Sequence, residues 1–263
     1  MRTLTAFTLA IGLVFGFAAC ENDADGAAFA ANQEATAYLY VHGGYVGRAI
    51  ATTDGDGALS VELDEAFMPH TLAQVDIDDD AWNEDNTVYY ISRGNEVHVA
   101  RYIEYNGNPY VGTTVGGSVT YVEADEAGEP VGGQDLELEI LHGQDTMAEY
   151  YEVIENGGFG IKTEAGGDVQ PVTSTAYDQV TKRGSSYWDR GPLGWHGNAE
   201  AMEAFFADHG VNFNLDDMAR ADEEDEDGLR TWQVADVVTG ATWVDFKDYF
   251  VNAQMAVAQL ERN

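Results

Sequence analysis

Cysteine, lysine and proline are scarce in this chain of 263 residues. One cysteine, Cys20, excludes any disulfide within the chain, so the fold rests on its hydrophobic core alone. Three lysines (Lys162, Lys182, Lys247) bring the cations to 12 against 47 acidic residues, a net charge of −35. Such a surface repels polyanions and anionic headgroups, which removes nucleic acid from the partners to consider. Such acidity reads either as cation binding or as a high-salt habitat, where screening shortens the range of self-repulsion, and the spread of the acids along the whole chain favours the latter. The densest block, 222–227, reads as a solvated loop before a strand. Neither Asp54-Gly-Asp56 nor Asp76-Ile-Asp78-Asp-Asp80 continues into a calcium-hand loop: Leu59 and Ala81 stand where glycine is needed. The six histidines show no metal-ligand spacing, and no nucleophile–base set is arguable.

Long apolar runs are missing too, apart from Leu9–Ala19 near the start. That run is too short for a stable membrane span and, after Arg2, reads as a signal sequence over 1–19. It ends in Phe17-Ala18-Ala19-Cys20, which resembles a bacterial lipobox. The expectation is a lipid on Cys20, an extracytoplasmic location at the cell membrane or surface, and a flexible tether over 20–36.

Residues 37–263 then read as one α+β domain, with a twisted, mainly antiparallel sheet and a few packed helices. Strands are expected at 37–41, 45–51, 59–63, 88–91, 98–105, 110–113, 119–122 and 234–238, with a hairpin turn at Asn106-Gly107. Helical spacing appears at 144–156 (Met147, Tyr150, Tyr151, Ile154) and from a cap at Asn198 to His209. The longest apolar stripe runs from Val244 to Glu261 through Phe246, Tyr249, Phe250, Ala253, Val257 and Leu260.

Ahead of that last helix stands Asp236-Val-Val-Thr239-Gly240-Ala241-Thr242, and upstream lies Gly191-Pro-Leu193-Gly194-Trp195-His196-Gly-Asn198. A hydroxyl ending Thr-Gly-Ala-Thr, six residues after an acid, resembles the covalent flavinylation motif of FMN-binding domains. The upstream element looks like a divergent Gly-Leu-Gly flavin loop of the same domains. The hairpin over 43–65 is similar to the opening of flavinylated surface lipoproteins of extracellular electron transfer, relatives of the FMN-carrying subunits of Rnf and sodium-pumping quinone reductases.

The resemblance implies FMN held through a phosphoester on Thr242, with Asp236 read by a flavin transferase that uses FAD. It implies a non-enzymatic electron carrier, fed by a membrane quinol or dehydrogenase and emptied by a reductase or external acceptor. Around the flavin it points to Tyr187, Trp188 and Trp195 as packing partners and Asn198 as a polar contact. Gly240 permits a tight turn, and the first amides of the helix would meet the phosphate. Val244-Asp245 stand where small hydroxyl residues often follow the motif, setting a carboxylate close by. The competing readings are a surface binding or structural lipoprotein with Thr242 or Asp245 as a helix cap, and, further off, a hydrolase using scattered carboxylates.

Overall fold

Alternation of side chains builds the strands that divide the molecule into two cores. The computed structural model describes residues 28–41, 44–172, 179–185, 193–224, 228–235 and 237–262. β1 (Glu34–Val41), β2 (Tyr45–Thr53) and β3 (Leu59–Phe67) form an antiparallel meander. Its register aligns Ala37 with Ala49 and Leu63, and Ala35 with Ala51 and Val61. On that face lie α4 (Gly194–His209) and α5 (Phe246–Val257), which contribute Trp195, Met202, Phe205, Phe206, Phe246, Tyr249 and Phe250 to one core. The small strand residues let α5 approach closely: a Cβ at Gly47 would lie 3.2 Å from Asn252. Val46, Ala66 and Phe67 belong to a second core with Met68 to Val172. The sheet is therefore shared between the two cores.

The second core is closed by α1 (Pro69–Leu72), the hairpin β4 (Thr87–Ser92)–β5 (Asn95–Ala100), and a larger sheet. That sheet runs in the order β11-β10-β6-β7-β8-β9, from β6 (Tyr102–Tyr105), β7 (Asn108–Val115), β8 (Ser118–Ala124), β9 (Pro130–Gly132), β10 (Phe159–Lys162) and β11 (Gln170–Pro171). Helices α2 (Leu136–Ile140) and α3 (Gln144–Glu155) complete it, and α3 buries Met147, Tyr150, Tyr151 and Ile154 as its spacing predicts. A third small sheet, β12 (Met218–Arg220), β13 (Trp232–Val234) and β14 (Val237–Val238), lies beside α5. The α+β class expected from the sequence is the one observed, with the antiparallel strands distributed over four sheets. No described helix is long and apolar enough to cross a membrane.

Four expectations are corrected. The run 98–105 is two strands, because Arg101 leaves the ladder: its N–H donates to Asn86 and its carbonyl accepts from Gly112, so the chain changes sheets there. Strand 234–238 is likewise broken, by Ala235 at φ +46°. The tether ends before Thr36, since Phe29 bridges Arg262, Ala30 bonds Glu261, and β1 begins at Glu34. Helix α5 spans 246–257, shorter than 244–261, although the whole expected stripe including Leu260 is buried. At Asn106-Gly107 both residues have positive φ, as a two-residue hairpin turn requires.

Charge inside this fold sets its pH response. Burial holds the Asp64, Asp135 and Glu203 carboxyls above the usual range, outweighing the amides and arginines that pull Asp64 and Glu203 down. The native state then keeps protons to a higher pH than the unfolded chain. The stability these three groups contribute is fully present below the ordinary carboxylate range of about 4 and is lost as pH rises through it to the raised native values. Asp54 acts oppositely, lowered by the Ala58 and Asp56 amides, but it is fully exposed and screened. The urea midpoint is expected to rise when the pH is lowered from neutral into that window; a fall would contradict the burial of these acids.

Candidate attachment site

The loop Thr239–Thr242 returns along β13 and is held by a set of backbone and side-chain hydrogen bonds. Trp232 N–H donates to the Ala241 carbonyl at 2.8 Å, and Thr239 N–H donates back to the Trp232 carbonyl at 2.9 Å. The Thr239 hydroxyl donates to the Trp232 carbonyl (2.9 Å) and accepts from the Ala241 amide (3.2 Å). Gly240 takes φ +77°, the left-handed turn that glycine adopts without strain, and an added Cβ would meet Ala201 of α4 at 3.5 Å, ordinary contact, so the backbone angle and not crowding calls for glycine. Ala241 is fully buried, while Val238 and Val244 on either side are more than half exposed. Thr242 thus sits half-buried at the surface end of a rigid platform.

Asn198 ties this loop to α4. Its Oδ1 accepts from the Thr242 amide at 2.6 Å and from the Thr242 hydroxyl at 3.1 Å, while its Nδ2 donates to the Gly194 carbonyl at 2.7 Å. Asn198 is 1% exposed, so its amide is aligned by packing as well as by these bonds. Hence Thr242, Asn198 and Gly194, from two stretches of sequence 44 residues apart, meet at one point. Asn198 is not the helix cap expected of it. It lies inside α4, which starts at Gly194 (φ +58°) with Leu193 at the N-cap.

Trp195 is 2% exposed and packs on Trp243, ring centroids 5.5 Å apart, so it is a core residue. Trp243 stacks in turn on Tyr249 at 3.9 Å. His196 is exposed on α4, its Nε2 2.7 Å from the Arg183 carbonyl. Asp236, Tyr187, Trp188, Gly191 and Cys20 lie outside the described residues.

The first-turn amides of α5 were expected to meet a phosphate on Thr242. The helix begins at Phe246 with Asp245 at the N-cap, so Thr242 stands three positions ahead of the cap and does not itself cap it. Another charge does reach it. A terminal nitrogen of Arg220 donates to the Thr242 carbonyl at 3.0 Å, and its Nε to the Arg230 carbonyl at 3.2 Å. Sequence reading passed over Arg220, although two arginines flanking the acidic block 222–227, in a chain so poor in cations, were a visible signal.

No family model, curated protein or solved structure matches this chain.

The residues present fit a phosphoester. Thr242 is half-buried, nearby Gly240 carries no side chain, and a guanidinium donates to the Thr242 carbonyl. Esterification removes the hydroxyl proton but leaves the stronger Asn198 contact, the one from the Thr242 amide, in place.

Beneath the site, Glu65 and Lys182 form an ion pair with 0% and 3% exposure. Lys182 also stands 3.5 Å over the Tyr45 ring. Burial first, then the Glu65 carboxylate, holds the Tyr249 phenol well above its ordinary range.

Proposed function

We propose that this protein is an extracytoplasmic electron carrier, lipid-anchored through Cys20, with FMN phosphoester-linked to Thr242. The reading rests chiefly on Asn198, whose carboxamide joins the Thr-Gly-Ala-Thr loop to the Gly191–Asn198 element at the hydroxyl that would bear the flavin. A carrier of this kind needs no substrate pocket: the bound flavin supplies the redox chemistry, and the chain fixes its place and its solvent access. Electrons would come from a membrane quinol or dehydrogenase and pass to a reductase or external acceptor.

Loading would be done by a flavin transferase. The Thr242 Oγ1–P bond forms as the P–O–P bond of FAD breaks. AMP leaves, and the hydroxyl proton passes to solvent. The test is the intact mass of the protein co-expressed with such a transferase, where a gain of about 440 Da is expected for one esterified FMN. No gain beside an active transferase would sink the reading. The alternative is then a surface binding lipoprotein, whose ligand would sit in the cavity of about 480 Å³ between Tyr38, Arg48 and Tyr151 and the acidic face of α3.

A further inference from the structure

We propose that Arg220 is the positioning residue and counter-charge of the attachment site, holding the phosphate that Thr242 carries; this rests on the flavin reading above. A phosphodiester keeps one negative charge, and this chain carries −35. The nearest sequence downstream adds Asp245 and Asp248, so without a local cation the modified residue would face only its own sign. Among the cations of this region, Lys247 has its Nζ on the Leu215 carbonyl at 2.7 Å, and Arg230 has its Nε on the Ala221 carbonyl at 3.1 Å. Among the described residues Arg220 alone of these cations reaches Thr242, and it reaches the carbonyl of the very residue whose hydroxyl would be esterified.

Its geometry is preset. Arg220 ends β12 opposite Trp232 of β13, and its Nε is moored to Arg230. Trp232 in turn bonds the Ala241 carbonyl, so guanidinium and loop are fixed to the same strand. A guanidinium has five N–H donors in a planar fork, and two of Arg220's go to the carbonyls named. The fork matches a phosphate better than an ammonium does. Binding a phosphate here therefore requires little reordering of the side chain, which lowers the cost of the contact.

The experiment compares initial rates of FMN incorporation, by intact mass at limiting transferase, in the wild-type chain, Arg220→Gln, Arg220→Lys and Arg230→Gln. Arg220→Gln is expected to load about tenfold more slowly, the scale of one charge-assisted hydrogen bond. Arg220→Lys, which keeps the charge, should stay within about threefold of wild type, and Arg230→Gln should load normally. Added salt should narrow the gap between wild type and Arg220→Gln, because part of it is Coulombic.

Wild-type loading with an unchanged Arg220→Gln rate overturns the role of Arg220 while the flavin reading stands. Absence of loading in the wild type overturns both. Equal slowing in Arg220→Lys and Arg220→Gln, with melting temperatures unchanged, also overturns the counter-charge.

Discussion

Thr242→Ala is expected to abolish covalent FMN outright while leaving the fold nearly as stable as before. The hydroxyl is the atom that would bear the phosphorus, and alanine offers no substitute. What the fold loses is one hydrogen bond, from the hydroxyl to Asn198 at 3.1 Å. The backbone bond from the same residue, at 2.6 Å, is untouched, so Asn198 keeps a donor and the loop keeps its anchor. Such a loss costs about 0.5–1.5 kcal/mol, and Thr242 is only half-buried, which favours the lower end. Thr242→Ser keeps the hydroxyl and is expected to retain loading. Intact mass measures the modification, and urea unfolding of the same samples measures the fold. A mass gain that survives in the alanine variant would place the flavin elsewhere.

Lys182→Met is expected to destabilise the protein by about 3–5 kcal/mol, because it leaves a buried carboxylate without its cation. Glu65 has no exposed surface, and Lys182 is its buried cation. The segment bearing Lys182 is also bound to β3 through its backbone, with Lys182 N–H on the Glu65 carbonyl and Phe67 N–H on the Val180 carbonyl. Removing the ammonium leaves those bonds intact, so the loss isolates the charge. Combining Lys182→Met with Glu65→Gln, which neutralises the stranded acid, is expected to recover much of it. Urea midpoints of the two single variants and the double variant test this. A cost below about 1 kcal/mol for Lys182→Met would mean that Glu65 is already neutral or solvated in the native state.

Local periodicity made the longer elements legible. The stripes of α3 and α5 and the Asn106-Gly107 turn follow from side-chain spacing and turn chemistry that neighbours in sequence supply. The breaks were not legible. Arg101 ends a strand because its backbone partners, Asn86 and Gly112, come from distant segments, and Arg93, which takes φ +51° in the β4–β5 turn, is no ordinary turn former. At the site, Thr242 and Asn198 could each be singled out, but their contact spans 44 residues and depends on how α4 lies on the sheet. Asn198 looked like a cap because capping residues and buried bridging amides share one side-chain chemistry. Glu65 and Lys182 were similarly silent: a single Glu and a single Lys 117 positions apart announce no pairing until β3 acquires its extra edge segment.

The bridge between Phe29 and Arg262 brings the two ends of the described chain together, just past the last turn of α5. If Cys20 bears a lipid, that bridge is where the leash enters the body. The eight residues between Cys20 and Phe29 can span at most roughly 30 Å. Helix α5, 12 residues long, rises about 18 Å between the end that follows Thr242 and the end nearest the leash. With FMN on Thr242, the leash and the helix together would hold an electron there within a shell on the order of 50 Å deep above the bilayer. A partner taking that electron would have to work within the same shell, because a carrier so anchored could not travel further to meet it.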